Sequence, residues 1–476
     1  MLDFSAPYTL TIDGMAGTAG TAAGELSVVN PATGASFARC PAAGALELDA
    51  AVQAARRAFA AWRALGFEQR AAHIARLAEA IGAHVDPLAR LLVQEQGKPL
   101  GQARDEIGRA SVLSSGMTQV RIEPEVLVDD AQRHIELHYV PLGVVGIITP
   151  WNAPINLAIG PLTAALYTGN CVVLKPSPFT PLCTLRLGEL VRDIFPPGVV
   201  NVLAGGDELG ALMTAHAGID KISFTGSVAT GKKVMASCAG TLKRVTLELG
   251  GNDAAIVLED VDVADVAKKL FFAATVNSGQ VCMAIKRIYA HEKIYDALCD
   301  ALAAEARCAR VGDGLQEGTV LGPIQNRPQY ERVRGFIDDI RKGPGRILAG
   351  AEQPSGPGYF VAPLVVAEPG EKSRIVTEEQ FGPVLPVMKF TDAEDALRRA
   401  NDTRFGLSGS VWSRDVARAT ALATRLEVGT AWVNQHRATA PNVPFGGAKE
   451  SGIGRTYSVL GLKENMEARV VSVLKS

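Results

Sequence analysis

At 476 residues the chain is too long for one small core, so two or three domains are expected. A composition of 47% hydrophobic and 21% charged residues excludes a disordered chain. A net charge of -2, from 48 basic and 50 acidic residues, gives no electrostatic footprint for nucleic acid or an anionic membrane. In chain order, residues 25–40 read as a strand and turn, with Asn30-Pro31 and Thr33-Gly34 as the turn chemistry. Helical periodicity follows over 49–63, where Leu48, Val52, Ala55, Phe59 and Trp62 share one face. Further helices are expected over 69–84, 87–96 and 101–117, with Gly97-Lys98-Pro99 between the last two. Residues 119–140 alternate polar and apolar, as a projecting hairpin does, and such a ribbon needs a partner surface.

From 142 to 257 strands rich in Val and Ile alternate with helical lengths, the pattern of a parallel doubly wound sheet. The strands are Val144–Thr149, Cys171–Lys175, Val199–Leu203, Lys221–Thr225 and Val245–Leu247; helices fall near 154–168, 180–194 and 228–239. A second α/β series runs through 254–433, with helices near 262–277, 293–308 and 327–341. Its strands lie near Ile285–His291, Val365–Ala367 and Thr430–Asn434. The last piece ends in Ala468–Val473, a candidate strand to pair with the earlier hairpin. The start MLDFSAPYTLTIDG lacks the basic and apolar regions of a secretory leader. Val140 to Ile148, the most apolar run, is about half the roughly 20 residues of a bilayer span. Seven dispersed cysteines without a CxxC pair fit a reducing cytoplasm better than a disulfide framework. A soluble, cytoplasmic protein is expected.

Cys282 stands in a Gly-Gln-Val-Cys turn amid apolar residues, and Glu248 is a solitary carboxylate at an apolar strand end. A thiolate attacks carbonyls and a desolvated carboxylate deprotonates water, so the pair suggests covalent catalysis. Asn152, in Thr149-Pro150-Trp151-Asn152-Ala153-Pro154, is hemmed between prolines; a fixed amide N–H suits a developing oxyanion. Lys175 ends another strand at the sheet edge where ligands of open α/β sheets collect, and a lysine there can reach ribose hydroxyls. Gly226 to Lys233 superficially fits a P-loop, but Lys233 stands where that loop needs Ser or Thr for magnesium, which argues against a triphosphatase. A helix N-terminus behind Gly226 and Gly231 would still receive a pyrophosphate. The histidines show no zinc spacing.

Pro150-Trp151-Asn152, Lys175-Pro176-Ser177, Phe224-Thr225-Gly226-Ser227, Leu247 to Gly251, Gly279 to Cys282, Glu379 to Pro383 and Pro444 to Gly447 occur together and in this order. With the tail Lys449 to Arg455, the pattern resembles the aldehyde dehydrogenase superfamily from about residue 25 to the end. The resemblance implies two Rossmann-like domains and a small β domain for oligomerisation, in a homodimer or homotetramer. It assigns 1–118 and 142–250 to NAD(P) binding, 251–456 to catalysis, and 119–141 with 457–476 to oligomerisation. It implies an aldehyde substrate, with Cys282 as nucleophile, Glu248 as base, and Asn152 with the Cys282 backbone N–H as oxyanion donors. Among cofactor contacts it implies Ile148, Thr149, Pro150, Trp151, Lys175 and Ser177. Pro178, Gly205, Gly226, Ser227, Leu249, Glu379 and Phe381 complete that set. Ala153, Leu157, Gly160, Val281, Met283, Thr439 and Phe445 are the implied substrate positions.

Two departures matter. Pro178 stands where many NAD-preferring relatives place a glutamate on the ribose; NAD is still expected, with NADP the alternative and Ser177 and Lys175 as its phosphate donors. Ala153 and Gly160 replace aromatic rings of the family's tunnel and Thr439 supplies none, so bulky aromatic or medium-chain aldehydes should enter. Arg437, in the same loop as His436, reads either as a carboxylate clamp or as a solvated charge. Two rival functions stay open: an acylating relative that passes the thioester to coenzyme A, against which Glu248 argues, and a binding protein without turnover.

Overall fold

The computed structural model describes residues 2–17 and 24–475. It is an α/β fold with two large, mostly parallel sheets and a three-stranded antiparallel one. The first sheet has eight strands. Its parallel core runs Val200–Val202, Cys171–Lys175, Val144–Ile148, Lys221–Thr225, Arg244–Glu248 in spatial order. The chain therefore steps outward from Val144–Ile148 and then returns to its other side, a topological switch point between Val144–Ile148 and Lys221–Thr225. Leu10–Ile12 and Met15–Gly17 form a hairpin that extends one edge, and it has no counterpart among the expected strands. Gly452–Ile453, from the tail grouped with the second half of the chain, pairs antiparallel with Arg244–Glu248 at the other edge.

The strands read as continuous apolar runs because both faces are covered. Residues 25–41 form a separate hairpin rather than a single strand and turn. The helices Ala45–Ala64, Phe67–Gly82, Val85–Gln96 and Leu100–Met117 match the expected ones within a few residues. Leu48, Val52, Ala55 and Trp62 bury the face read from periodicity, while Phe59 is half-buried. Helix Asp207–Ala215 has no counterpart in the sequence reading; its Gly206 start carries no side-chain cap.

In the second, seven-stranded sheet, alternate residues of Asp253–Val257 serve opposite cores. Ala255 and Val257 pack towards helices Val263–Thr275 and Glu292–Cys308, whereas Ala254 and Ile256 pack towards Ala393–Asn401 and Val416–Ala423. Asp262 caps the first of these helices by accepting from the backbone of Ala264 and Asp265, a contribution of about 1 kcal/mol. The third sheet joins Glu125–Asp129, Arg133–Pro141 and Met466–Leu474, the last two paired over nine residues. Val120–Ile122 are not in a strand. Among the described residues no helix is long and apolar enough to cross a membrane, and no cluster could hold a metal ion.

Candidate active site

Register brings the first wall of the site together. Ile148 pairs with Lys175 on one side, its strand pairs with Lys221–Thr225 on the other, and Thr225 pairs with Glu248. Four sequence-selected strand ends thus stand side by side at one sheet edge. Thr149 donates its backbone N–H to the Lys175 carbonyl, but among the described residues its buried hydroxyl has no partner. Lys175 is buried, and among the described residues its Nζ meets only the Pro176 carbonyl, at 3.3 Å. Desolvation lowers that ammonium to about 8, with Asp207 opposing. Ser177 is buried beside half-buried Pro178, and its hydroxyl accepts from the Phe179 N–H. Ser227 caps helix Val228–Ala239 by accepting from Thr230 N at 3.2 Å, and Gly226 donates its backbone N–H to Glu248 O. Leu249 and Gly205 are packed inward, Leu249 against Gly231 and Gly205 against Leu209. They shape the wall through backbone rather than side chain.

The facing wall is a turn of the second half. Cys282 follows a 3-10 segment Val276–Gly279 in which Asn277, Ser278 and Gly279 all have positive φ, at 52°, 55° and 73°. Non-glycine residues rarely adopt that region, and here side chains hold it. Asn277 Nδ2 donates to Asn152 O at 2.9 Å, Ser278 Oγ to Gly322 O at 2.7 Å, and Gln280 Nε2 to Asn277 O at 2.9 Å. At Gly279 a Cβ would lie 2.4 Å from the Gly382 carbonyl oxygen, so only glycine fits.

Asn152 ties the walls together. Its Nδ2 donates to Gln280 O at 2.8 Å, and its own carbonyl accepts from Lys98 Nζ and Asn277 Nδ2, both at 2.9 Å. An amide has two N–H donors, so one is spoken for and one is left. Lys98 in turn pairs with buried Glu106, whose other oxygen accepts from Ile155 N and Asn156 N at the start of helix Pro154–Tyr167. Asn152 therefore sits at the head of a helix locked by a buried ion pair. Neither residue carries a sequence signal of its role: Lys98 lies in the Gly97-Lys98-Pro99 break between helices and Glu106 has only a helical position.

Around the thiol, Cys282 and Met283 pack with Leu407, Trp432, Phe445 and Tyr457. Desolvation pushes the half-buried thiol up to about 12; Glu248, Glu379 and Asp253 add to this and Lys286 opposes it. Lys286 Nζ also donates to the carbonyls of Val281 (3.0 Å) and Cys282, so one ammonium both fixes the turn and counters the carboxylates. Glu248 has a buried oxygen without a partner among the described residues; desolvation raises its carboxyl to about 8, with Arg455 opposing. Glu379 accepts from Gly251 N at 3.0 Å, lies 3.7 Å from Lys286, and is raised by burial. It rests on Gly250, where a Cβ would come within 2.1 Å of its oxygen. Trp151 and Phe381 meet edge to face, centroids 5.3 Å apart, and Phe381 holds a φ of 49°.

Of the substrate positions, Ala153, Leu157, Val281 and Met283 are half-buried, Gly160 and Phe445 are buried, and Thr439 is exposed. The space expected at Gly160 is not empty. A Cβ there would meet the Tyr457 ring at 3.2 Å, so Tyr457 fills from the distant C-terminal segment what Gly160 vacates. Burial, with Glu248 and Cys282 adding, raises the Tyr457 hydroxyl, which places the ring near both. The sequence offered no signal for it; a tyrosine after Gly454-Arg455-Thr456 has no local pattern.

An open α/β sheet with a switch-point crevice, facing a thiol that a second sheet presents, defines a class of nucleotide-dependent oxidoreductase. The model of the Aldehyde dehydrogenase family matches residues 18–471, and this chain belongs to that family. Aldehyde dehydrogenase LUC3 of a Fusarium species is 37% identical over 452 residues, covering 94% of this chain and 95% of the relative. Phenylacetaldehyde dehydrogenase of Pseudomonas fluorescens is 36% identical over 462 residues, covering 93% and 91%. The NAD+ complex structure of an aldehyde dehydrogenase from Bacillus cereus superposes with a TM-score of 0.96 at 36% identity, covering 99% of this chain and 97% of that one. The activity of the family is aldehyde oxidation with NAD(P), and an aldehyde is the expected substrate.

Proposed function

We propose that this enzyme converts an aldehyde to a carboxylic acid, with Cys282 as nucleophile, Glu248 as general base and Asn152 as oxyanion donor. One observation carries the reading: the spare N–H of Asn152, the unpartnered oxygen of Glu248 and the Cys282 thiol converge where the turn meets the sheet edge. Cys282 adds to the carbonyl to form a thiohemiacetal, and Asn152 with the Cys282 backbone N–H receives the oxyanion. Such donors are worth about 2.7–4 kcal/mol each in water-excluded sites. Glu248 then takes a proton from the water that hydrolyses the thioester on Cys282.

The unpartnered Thr149 hydroxyl, the under-satisfied Lys175 ammonium and the helix start at Ser227 fit a dinucleotide. Ile148, Pro150, Trp151, Gly205, Gly226 and Leu249 would shape its bed, with Glu379 and Phe381 at its nicotinamide end. When bound, the dinucleotide supplies the hydride acceptor. NAD is the favoured cofactor, as in the Bacillus cereus complex; Pro178 brings neither an acceptor for the ribose hydroxyls nor a negative charge to repel a 2′-phosphate, which keeps NADP as the alternative.

Ala153 and Thr439 leave the channel open, and Tyr457 lines it with a flat ring in place of the absent side chain at Gly160. Aromatic or medium-chain aldehydes fit that slot, and the kinship with a phenylacetaldehyde dehydrogenase agrees. A panel of benzaldehyde, octanal and acetaldehyde with NAD and NADP in parallel, read at the NADH absorbance band, is the test. A clear preference for acetaldehyde refutes the substrate reading. Acid formation without coenzyme A separates this reaction from acyl transfer, and absence of any turnover from both.

Residues 1–118 with 142–250 form the NAD(P)-binding domain, 251–456 the catalytic domain, and 119–141 with 457–476 the oligomerisation unit. Val470, Val471, Val473 and Leu474 are exposed on Met466–Leu474, Val471 and Val473 on one face and Val470 and Leu474 on the other, apolar surface that a homodimer or homotetramer would cover. Seven unpaired cysteines support a cytoplasmic setting.

A further inference from the structure

Buried arginines in this protein are tied to backbone carbonyls. Arg70 donates to Tyr167 O at 2.8 Å, and Arg287 to Asn252 O and Ala400 O, both at 2.9 Å. Arg186 leaves its Nε unpartnered too, but its Nη atoms bind Glu189 Oε1 and Ala6 O. Half-buried Arg437 has no such ties: among the described residues its buried Nε has no hydrogen-bond partner and no carboxylate acts on its charge. Desolvation and a second cation, Arg109, together lower the guanidinium to about 10, and the Cys282 sulfur is the group that opposes them. A guanidinium left this way in a cleft usually awaits an anion.

The backbone spends strain to put it there. Arg437 has a φ of 66°, uncommon for a long side chain, and both neighbours are pinned. His436 is held neutral by burial, its pKa pushed down to about 3, so Nε2–H donates to Met283 O at 3.1 Å while Nδ1 accepts from Ser410 Oγ at 2.9 Å. Trp432 Nε1 donates to Ala438 O at 3.0 Å. Because Met283 adjoins Cys282, the arginine is referenced directly to the nucleophile. Its guanidinium carbon lies 5.9 Å from the ring of Phe272, an exposed aromatic.

Arg109 arrives from the other side. On helix Leu100–Met117 it shares a face with Leu113 and Gly116, at helical spacings of four and three. Leu113 packs at Gly160, and Gly116 abuts Pro441 in the loop that carries Arg437. That face therefore runs from Gly160 to the loop that carries Arg437, with exposed Arg109 one helical turn before Leu113.

We propose that Arg437 and Arg109 form an anion subsite at the outer end of the channel, and that the preferred substrate is an aromatic or medium-chain aldehyde bearing a carboxylate at the end remote from its carbonyl. The inference rests on the aldehyde-oxidising reading above and names the substrate class for it. Two like charges held close without a counter-ion repel each other, and a bidentate carboxylate relieves both.

The test compares 4-carboxybenzaldehyde, 4-methylbenzaldehyde and 4-(trimethylammonio)benzaldehyde on the full-length enzyme with NAD. The expected kcat/KM is at least about tenfold higher for the carboxylate than for the methyl compound, and lowest for the cation. Arg437→Met collapses that ratio through KM, Arg109→Met reduces it less, and Arg437→Lys recovers part of it. Terephthalate should also protect Cys282 from iodoacetamide at lower concentration than 4-methylbenzoate does, a readout independent of turnover. Equal use of the carboxylate and methyl compounds, or a ratio untouched in Arg437→Met and Arg109→Met, overturns the subsite while leaving aldehyde oxidation standing. Failure to oxidise any of the three overturns the functional reading itself.

Discussion

On the wall formed by the first sheet, Ile148, Lys175, Thr225 and Glu248 end adjacent parallel strands in register, with ordinary extended backbone behind them. On the facing wall, Cys282 follows three successive left-handed residues held by side chains from Asn277, Ser278 and Gln280. The first arrangement is what any parallel sheet offers at its carboxyl edge. The second stores strain, and only the surrounding hydrogen bonds keep it. Position comes cheaply where the element is regular; a thiol aimed from one sheet towards the edge of another needs an irregular turn and a scaffold to hold it.

The largest effect should come from the strained wall: Cys282→Ser lowers aldehyde oxidation by on the order of 10^4-fold or more, while NAD binding by calorimetry persists. Retained turnover would dismiss the covalent route. Glu248→Gln should cut the steady-state rate by about 10^2–10^4-fold yet leave a pre-steady-state burst, because acylation precedes the water step. The pH dependence has a definite sign. A base acts deprotonated, so thioester hydrolysis climbs from about pH 6 through a midpoint near 8 and levels about one unit higher, and Glu248→Gln flattens that limb. Asn152→Ala, which removes a donor shared by both walls, should cost about 10^2–10^3 in kcat.

Two smaller effects separate the walls directly. Gly279→Ala places a Cβ against the Gly382 carbonyl at a positive φ and should destabilise by about 1–3 kcal/mol, seen as a lower Tm. Lys175→Met, on the regular wall, should raise the Kd for NAD about tenfold with little change in Tm, since it removes one charge-assisted contact and no constraint. Equal thermal penalties from the two would erase the distinction.

Strand ends were legible because hydrophobic runs and following prolines or glycines mark them locally; Ile148, Lys175 and Glu248 were found this way. Cys282 was found by its turn and its kinship, not by periodicity. Tyr457 was not legible: its ring fills space beside Gly160 from almost three hundred residues away, and nothing near either position records the other. Lys98, Glu106 and Lys286 escaped for the same reason, since a buried charge looks like a surface charge until its partner is placed. Arg437 is the sharpest case, since sequence pattern favours a solvated loop charge there over a carboxylate clamp.

The order of strands and helices, the thiol, the lone carboxylate and the amide between prolines belong to the sequence, because local pattern and residue chemistry specify them. Tertiary structure alone decided which ring closes the channel, which ammonium faces the thiol, and which guanidinium is left without a partner. Those depend on distances between segments far apart in the chain, and burial, which sets the cost of every charge, exists only after they meet.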